Sequence, residues 1–407
     1  MKKRVVAALM AGIMVFGVAG CEAGGAESTI GAEGEKGNSI KIGAILVGDE
    51  NEGYTYAHIE GIKKAAAATG IAEDNIIWKY SVPEDESCET AAKDLVDQGC
   101  SAIFSNSYGH QSFMQQVASE YPDVSFVAMT GDTAAASGLD NFSNAFTKIY
   151  ESRYVSGVVA GMKVAELVAD NKLGAENYDA NGNVLIGYVG AYPYAEVVSG
   201  YTAFFLGVQS VYQNVSMEVT YTNSWFDITA EGEAANALMA DGCVIIGQHA
   251  DSTGAPSAVQ AALDSGKVAY SVGYNVDMLN VAPTAALTSA TNNWSVYYKH
   301  AFEQVLSGSR IDTDWAEGYS EDAVAITTLG PSVAEGTADK VSEVISGIKD
   351  GSIHVFDTSK FTVGGDQVST FALPDGYECI SDGYFHESEH VAAPCFSLRI
   401  DGIKELN

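Results

Sequence analysis

The chain is short of basic residues. Its 407 residues include 21 lysines and arginines against 53 aspartates and glutamates, which gives a formal net charge of −32. A charge of this sign repels nucleic acid and anionic membrane surfaces, and it disfavours a phosphorylated ligand. Only 18% of the residues are charged, whereas 47% are hydrophobic. The composition therefore indicates a globular protein with an acidic surface, and no nucleic-acid partner is expected.

Several motifs of enzymes are missing as well. The chain has no Gly-x-Ser-x-Gly nucleophile elbow, no glycine-rich phosphate loop and no Cys-x-x-Cys pair. One segment, His386 to His390, does fit the His-Glu-x-x-His pattern of zinc proteases. That chemistry requires both histidines on one face of a helix, and Gly383 and Pro394 stand close on either side. We therefore predict no catalytic residue, no metal and no cofactor.

Long apolar runs are absent except at the start of the chain. A basic opening, Lys2 to Arg4, precedes an uncharged run of 16 residues, and Cys21 follows Gly20 directly. This layout is typical of a signal peptide over residues 1–20, too short to span a bilayer comfortably. The small residues before Cys21 resemble the lipobox of bacterial lipoproteins, which implies cleavage before Cys21 and acylation of its sulfur. An ordinary signal peptide with a chance cysteine is the alternative.

Residues 21–39 are rich in glycine and glutamate and nearly free of bulky apolar side chains. Such a segment cannot bury enough surface to offset chain entropy, so it is predicted to be a flexible tether. The folded body then begins near Ile40, and its length is sufficient for two domains. We expect a monomer held by lipid on the outer, extracytoplasmic face of the cell membrane.

Five cysteines follow Cys21, at positions 88, 100, 243, 379 and 395. An odd number in an exported protein leaves at least one thiol unpaired. Cys379 and Cys395 lie in a loop-rich tail and could pair there. Cys100 and Cys243 each begin a predicted strand, where a small buried side chain is expected.

Short apolar strands alternate with helices from Ile40 onward. Strands are predicted at Ile40–Val47, Ile76–Val82, Ala102–Ser105, Val124–Thr130, Val184–Val189, Met217–Tyr221, Val244–Gly247 and Val268–Val272. Single helices between strands imply parallel pairing with right-handed crossovers. The segment Leu95–Phe104 resembles Leu238–Gly247 in having a helix end, a glycine, a cysteine and an apolar strand. This repetition indicates two lobes built on one plan.

Open parallel sheets bind ligands beyond the carboxyl ends of their strands. This rule nominates seven loops: Gly48–Tyr56, Asn106–His110, Gly131–Thr133, Gly190–Tyr194, Thr222–Asp227, Gln248–Ser252 and Tyr274–Asp277. They are rich in tyrosine, tryptophan, asparagine and aspartate. If the two lobes face each other, the loops line a cleft that suits a flat, uncharged ligand with hydrogen-bonding edges.

Ordered segments in and near these loops resemble one protein family. They are Gly53–His58, Tyr150–Tyr154, Asn223–Asp227, Gly247–Ser252, Gly273–Met278 and Asn292–Trp294. Over about residues 40–356 the chain resembles the BMP (basic membrane protein, Med/PnrA-like) family of lipoprotein substrate-binding proteins, whose studied members serve ABC importers and bind purine nucleosides or bases.

The resemblance implies the type I periplasmic-binding-protein fold, an α/β structure of two Rossmann-like lobes with parallel sheets joined by a hinge. Residues 40–147 and 291–319 would form the first lobe, and residues 148–290 and 320–356 the second. Residues 357–407 would be a C-terminal extension, irregular or with short strands, to which we assign no role.

The resemblance also implies site residues. Tyr54 and Trp225 match the positions whose rings sandwich the purine in family members. The other expected ligand contacts are Asn106, Thr130, Gln248, His249, Asn275, Asp277, Asn292 and Trp294. Two alternatives stay open, since an aromatic residue can be part of a core and an asparagine or aspartate can simply cap a loop.

Two positions depart from the family pattern. Thr130 stands where nucleoside-binding members have an aspartate, and Asn292 where they have a lysine. Both family residues help to hold the ribose, so their replacement favours a free base or another small heterocycle. The function expected is a solute-binding protein of an ABC importer rather than an enzyme. A lipoprotein sensor or receptor using the same cleft is the alternative.

Overall fold

The computed structural model describes residues 40–407, so the predicted signal peptide, Cys21 and the tether lie outside the described residues. The strands are β1 Ile42–Ile45, β2 Ile76–Lys79, β3 Ala102–Ser105, β4 Ser125–Met129, β5 Phe142–Thr147, β6 Val184–Gly190, β7 Val215–Tyr221, β8 Ile245–Gln248, β9 Tyr270–Tyr274, β10 Ala286–Asn292, β11 Asp314–Glu317, β12 Val324–Ile326, β13 Ile380–Ser381, β14 Tyr384–Phe385 and β15 Ile403–Glu405. The α-helices are α1 Gly53–Thr69, α2 Glu86–Asp97, α3 Gln111–Glu120, α4 Ala134–Ser137, α5 Ile149–Ala169, α6 Ala195–Val211, α7 Ile228–Ala240, α8 Gly254–Asp264, α9 Ser295–Ser307 and α10 Thr337–Lys349.

The strands form two large sheets. The first, sheet A, has the order β2-β1-β3-β4-β5-β11 and is parallel throughout. The second, sheet B, has the order β15-β7-β6-β8-β9-β10-β12 and is parallel except for β12, which runs antiparallel to β10. Five successive strands of each half share one order, which accounts for the internal sequence similarity. The parallel α/β architecture predicted from the sequence is confirmed.

The chain passes from one sheet to the other after β5, after β10 and after β11. At the first two crossings, the Thr147 hydroxyl donates a hydrogen bond to Asn292 Oδ1. Beyond β11, the Tyr319 backbone N–H donates to Glu151 Oε2 at 2.7 Å. These crossings are where a hinge is expected, and the boundaries of two moving lobes stay a prediction.

Helices α5 and α6 approach each other closely because glycines face each other at their contact. A Cβ added to Gly157 would lie 2.1 Å from the carbonyl oxygen of Phe204. A Cβ added to Gly207 would lie 2.1 Å from that of Tyr154. No side chain can occupy either position without separating the helices, so this packing depends on both glycines.

Residues 357–407 fold back onto the rest of the protein. Their last strand, β15, pairs in parallel with β7, with Ile403 opposite Met217. Both Tyr201 and Tyr221 donate a hydrogen bond from the side-chain hydroxyl to Glu405 Oε1, at 2.8 and 2.5 Å. The extension therefore completes sheet B, a role that the sequence did not suggest.

The cysteines between residues 40 and 407 are all free thiols, so the possible bridge between Cys379 and Cys395 is not formed. Cys100 and Cys243 are buried, as expected at the start of a strand. Burial raises the pKa of the Cys88 thiol to about 12. Within the same range, no helix has the length and apolar character needed to cross a membrane.

Candidate ligand-binding site

A cavity of about 780 Å³ lies between the sheets, at the carboxyl ends of their strands. On the side of sheet A, loops and the adjoining ends of helices and strands contribute Glu52, Tyr54, Asn106, Tyr108, Thr130 and Phe146, among others. On the side of sheet B, the corresponding loops and element ends contribute Tyr194, Glu196, Trp225, His249, Asp251 and Tyr274, among others. The volume is within the range of small-molecule sites.

Aromatic rings line the cavity from both sides. Trp225, which follows β7, is half-buried, and its ring meets that of Tyr192 edge-on at 5.1 Å between centroids. Tyr194 lies 6.1 Å from Trp225 and also 6.1 Å from Tyr108 on the opposite side. Tyr54 faces the cavity from the start of α1. A flat ligand held here would meet ring faces or edges from both sheets.

Glu52 fixes the position of Tyr54. Its carboxylate is the N-cap of α1 and accepts hydrogen bonds from the backbone N–H groups of Tyr54, at 2.7 Å, and Thr55, at 2.8 Å. The hydroxyl of Tyr54 in turn donates to the backbone carbonyl of Asn106 at 2.5 Å. Burial raises the pKa of Glu52. The tyrosine is thus held at both ends, so little ordering is left for a ligand to impose.

Asp251 is a buried acid on the cavity wall. Its Oδ1 accepts a hydrogen bond from Asn275 Nδ2 at 2.6 Å, and its backbone N–H donates to the carbonyl of Trp225 at 2.8 Å. Burial, reinforced by nearby carboxylates of which Glu52 is the first, raises the pKa of Asp251 well above its usual value. A shift in this direction favours the protonated form, in which a carboxyl group can both donate to and accept from a ligand edge.

A second buried acid, Glu231, ties two loops of the site together. Its Oε1 accepts hydrogen bonds from the backbone N–H of Asp227, at 3.1 Å, and from that of Ser252, at 3.2 Å. These residues belong to the loops after β7 and β8. Burial raises the pKa of Glu231 to about 7. The carboxyl group sets the relative position of the loops that carry Trp225 and Asp251.

Arg153 and His249 contact residues of sheet B that line or adjoin the cavity. The buried guanidinium of Arg153 donates to the carbonyl of Gln248 at 2.6 Å and lies 3.7 Å from the ring centroid of Tyr274. His249 Nε2 lies 2.7 Å from the carboxylate of Glu196. Burial lowers the pKa of His249, although Glu196 acts in the opposite direction. Arg153 therefore orients Tyr274 without lining the cavity itself.

Five of the ten residues predicted to contact ligand line the cavity: Tyr54, Asn106, Thr130, Trp225 and His249. The side chain of Asn106 is occupied within the protein, since Oδ1 accepts from Val47 N–H at 2.8 Å and Nδ2 donates to Thr55 Oγ1 at 3.2 Å. Thr130 has a φ of 62°, which is strained for a β-branched residue. Its hydroxyl donates to its neighbour's carbonyl, that of Met129, at 2.6 Å.

The other five do not line the cavity. Gln248 Nε2 donates to the carbonyls of Ala250 and Ser252 at 2.7 and 2.9 Å, so this side chain shapes its own loop. Asn275 is bound to Asp251 as described. Asp277 is exposed and accepts from the backbone N–H of Leu279 at 2.8 Å. The hydrogen bonds of these side chains are made within the protein, and their contact with a ligand stays a prediction.

Asn292 and Trp294 belong to the protein interior. Asn292 bonds to Thr147 where the chain crosses between the sheets. Trp294 is 1% exposed and stacks on the ring of His58 at 4.4 Å between centroids. The indole of Trp294 is thus packed where α9 meets α1, and its contact with a ligand stays a prediction.

Comparison with known proteins identifies the family. The sequence model of the family described as ABC transporter substrate-binding protein PnrA-like matches residues 40–357. The chain belongs to this family. Its members are substrate-binding proteins, so the prediction of a binding protein rather than an enzyme is confirmed, as is the resemblance from which it came.

Individual relatives agree on the class and differ on the ligand in their names. A purine-binding protein of Brucella abortus (strain 2308) is 31% identical over 353 residues, covering 86% of this chain and 89% of the relative. A putative ABC transporter glucose-binding protein of Haloferax volcanii is 29% identical over 353 residues, covering 86% of this chain and 82% of the relative.

Solved structures support the predicted fold. A solute-binding protein of an ABC transporter system from Aeropyrum pernix K1 superposes with a TM-score of 0.62 at 16% identity, covering 80% of this chain and 94% of the other. The type I periplasmic-binding-protein fold expected from the sequence is therefore confirmed. At this identity the likeness concerns fold alone.

Several cavity residues of this PnrA-like protein escaped prediction, notably Glu52, Asp251 and Tyr274. All three lie in loops that the strand-end rule had nominated. Within those loops, the site residues were selected by their similarity to the family rather than by their position, and these three were not among them. Ala393 and Pro394 also line the cavity. They belong to the C-terminal extension, and no feature of the sequence pointed to them.

The His-Glu-x-x-His segment does not form a zinc site. It lies in a loop rather than on a helix. His386 Nδ1 is 2.8 Å from Glu389 Oε2, and His390 Nε2 is 2.6 Å from Asp375 Oδ2. Between residues 40 and 407, no group of histidine, cysteine, aspartate and glutamate side chains is arranged to hold a metal ion.

Proposed function

We propose that this PnrA-like protein is a lipid-anchored, extracytoplasmic solute-binding protein that delivers a purine-type ligand to an ABC importer. The observation that carries the ligand class is one cavity with Tyr54 on one side, Trp225 on the other and the buried carboxyl of Asp251 on its wall. Rings on two sides suit a planar heterocycle, and a buried carboxyl can hydrogen-bond to its polar edge.

A free base fits this cavity better than a nucleoside. Neither Thr130 nor Asn292 offers the charged group that nucleoside-binding members place at these positions. The hydroxyl of Thr130 is engaged with a backbone carbonyl, and the amide of Asn292 lies at the crossing between the sheets. A ribose would therefore have to be held by other groups, whereas the base alone is served by the aromatic rings and Asp251.

The test of the ligand is a titration panel on the mature protein by calorimetry, using adenine, guanine, hypoxanthine, adenosine, guanosine, ribose and glucose. We expect at least one base to bind, and to bind more tightly than its own nucleoside. Binding of glucose with no response to any purine would refute the ligand assignment and favour the ligand named for the Haloferax relative.

The anchor is tested separately. Cys21→Ser should move the protein from the membrane fraction to the soluble extracytoplasmic fraction, and the mature wild-type protein should carry an acylated N-terminal cysteine by mass spectrometry. Cys88→Ser is the matched control, because Cys88 is buried in the folded body and should not affect fractionation. An unmodified Cys21 in the mature protein would contradict the proposal.

A further inference from the structure

The C-terminal extension contacts both sheets, and it does so beside the cavity. Its last strand is part of sheet B. Some ten residues earlier, the backbone N–H of Ala392 donates to Asp314 Oδ2, in β11 of sheet A, at 2.9 Å. Between these two attachments, Ala393 and Pro394 line the cavity. We call residues 387–396 the cavity strap.

The strap is held in a defined conformation by a buried glutamate. Glu387 is 1% exposed, and its Oε2 accepts hydrogen bonds from the backbone N–H groups of Cys395, at 3.0 Å, and Phe396, at 2.8 Å. The backbone carbonyl of Glu387 accepts from the hydroxyl of Tyr150 in α5 at 3.2 Å. The ends of the strap are thereby drawn together, and Ala393 and Pro394 lie within the turn between them.

Aromatic packing fixes the strap to the body. Phe396 is fully buried and stacks on Phe356 at 4.3 Å between ring centroids. Phe385, two residues before the strap, meets Phe396 at 4.9 Å between ring centroids. Fully burying a phenylalanine contributes about 1.5–3 kcal/mol each. A segment anchored in this way presents a fixed surface to whatever occupies the cavity.

We propose that the strap is a wall of the ligand site, and that Ala393 determines the size of ligand the cavity accepts. This inference rests on the proposed function of the cavity, and it concerns residues beyond 357, where the family match ends. A side chain larger than alanine at position 393 would take up cavity volume. Asp314 acts as a positioning residue, because it holds the neighbouring backbone N–H.

The direct test is Ala393→Phe, with Ser397→Phe as the control. Ser397 is exposed, follows the strap and does not line the cavity, so it carries the same added ring in a neutral place. Binding of adenine and adenosine is measured by calorimetry. We expect at least a tenfold loss of affinity for Ala393→Phe, greater for the nucleoside, and less than a twofold change for the control.

Asp314→Ala tests the positioning without adding bulk, and so covers the case in which Ala393→Phe fails to fold. We expect a three- to tenfold loss of affinity together with faster amide hydrogen exchange confined to residues 386–396. Asp314→Asn keeps an oxygen acceptor and should restore both readouts. If wild-type protein binds a purine and both Ala393→Phe and Asp314→Ala bind it equally well, the strap is not part of the site. If the wild type binds no purine, the proposed function fails first and this inference with it.

Discussion

Removing the indole of Trp225 should weaken ligand binding far more than it weakens the fold. Stacking a base on an aromatic ring contributes about 1–3 kcal/mol. At 1.4 kcal/mol for each factor of ten, Trp225→Ala should raise Kd about five- to 150-fold. Trp225→Phe keeps a smaller ring and should fall between the wild type and the alanine variant.

The structure explains why stability should change little. Trp225 lies on a loop and is half-buried, and its ring contacts are with Tyr192 and the exposed Tyr194. The hydrogen bond that it accepts from Asp251 uses the backbone carbonyl, which alanine retains. Position 251 should therefore keep its place on the cavity wall.

The assay pairs calorimetric titration of the best base in the panel with thermal unfolding of each variant. Trp78→Ala is the matched control, because Trp78 is also half-buried but lies on the edge strand β2, outside the cavity. It should change thermal stability without changing affinity. An unaltered Kd for Trp225→Ala would refute the stacking role.

Three further predictions concern stability and reactivity. The pKa of the buried Glu231 is about 7 in the folded protein and about 4.5 in the unfolded chain, so its contribution to the free energy of unfolding is present at low pH and is lost as the pH rises between these values. In urea titrations, Glu231→Gln should reduce the fall in the free energy of unfolding between pH 4.5 and pH 7 by about 3 kcal/mol. A fall identical to that of the wild type would refute the assignment. Gly157→Ala should destabilise the protein by several kcal/mol, because the added Cβ would meet the carbonyl of Phe204. The control Gly232→Ala should be neutral or stabilising by up to about 1 kcal/mol, since no atom lies closer than 3.5 Å to its added Cβ. Equal melting temperatures for the two variants would contradict this prediction. A maleimide at pH 7 should label Cys88 only after the protein is unfolded, since burial keeps the thiol protonated and inaccessible. Labelling is measured by mass spectrometry, and rapid labelling of Cys88 in the native protein would contradict the prediction.

The sequence was most informative where local chemistry decides the structure. Short apolar runs marked four strands in each sheet, β1 to β4 and β6 to β9, and the strand-end rule nominated the loops that line most of the cavity. The sequence of Leu95–Phe104 and its counterpart at 238–247 even indicated that the halves share one plan. Each of these inferences needs only neighbouring residues and a general property of parallel sheets.

It was least informative where the outcome depends on distant contacts. Asn292 ends β10 and Trp294 follows it, in the region where ligand contacts are expected, but the first bonds to Thr147 and the second packs on His58. The strap meets Asp314, 78 residues earlier in the chain. Nothing in the spacing of either segment shows that they will meet, because their contact is created by the fold itself.

The pairing of β15 with β7 has a consequence for how the chain is made. Lys404 and Glu218, which form an ion pair across these strands, are 186 residues apart. During synthesis, β7 is an open edge of sheet B until residues 403–405 have been added to the chain. An exposed edge strand is a template for pairing with other chains. Deleting the segment Ile403–Glu405 would remove β15 and leave that edge uncovered, so a chain truncated before Ile403 should be prone to aggregation.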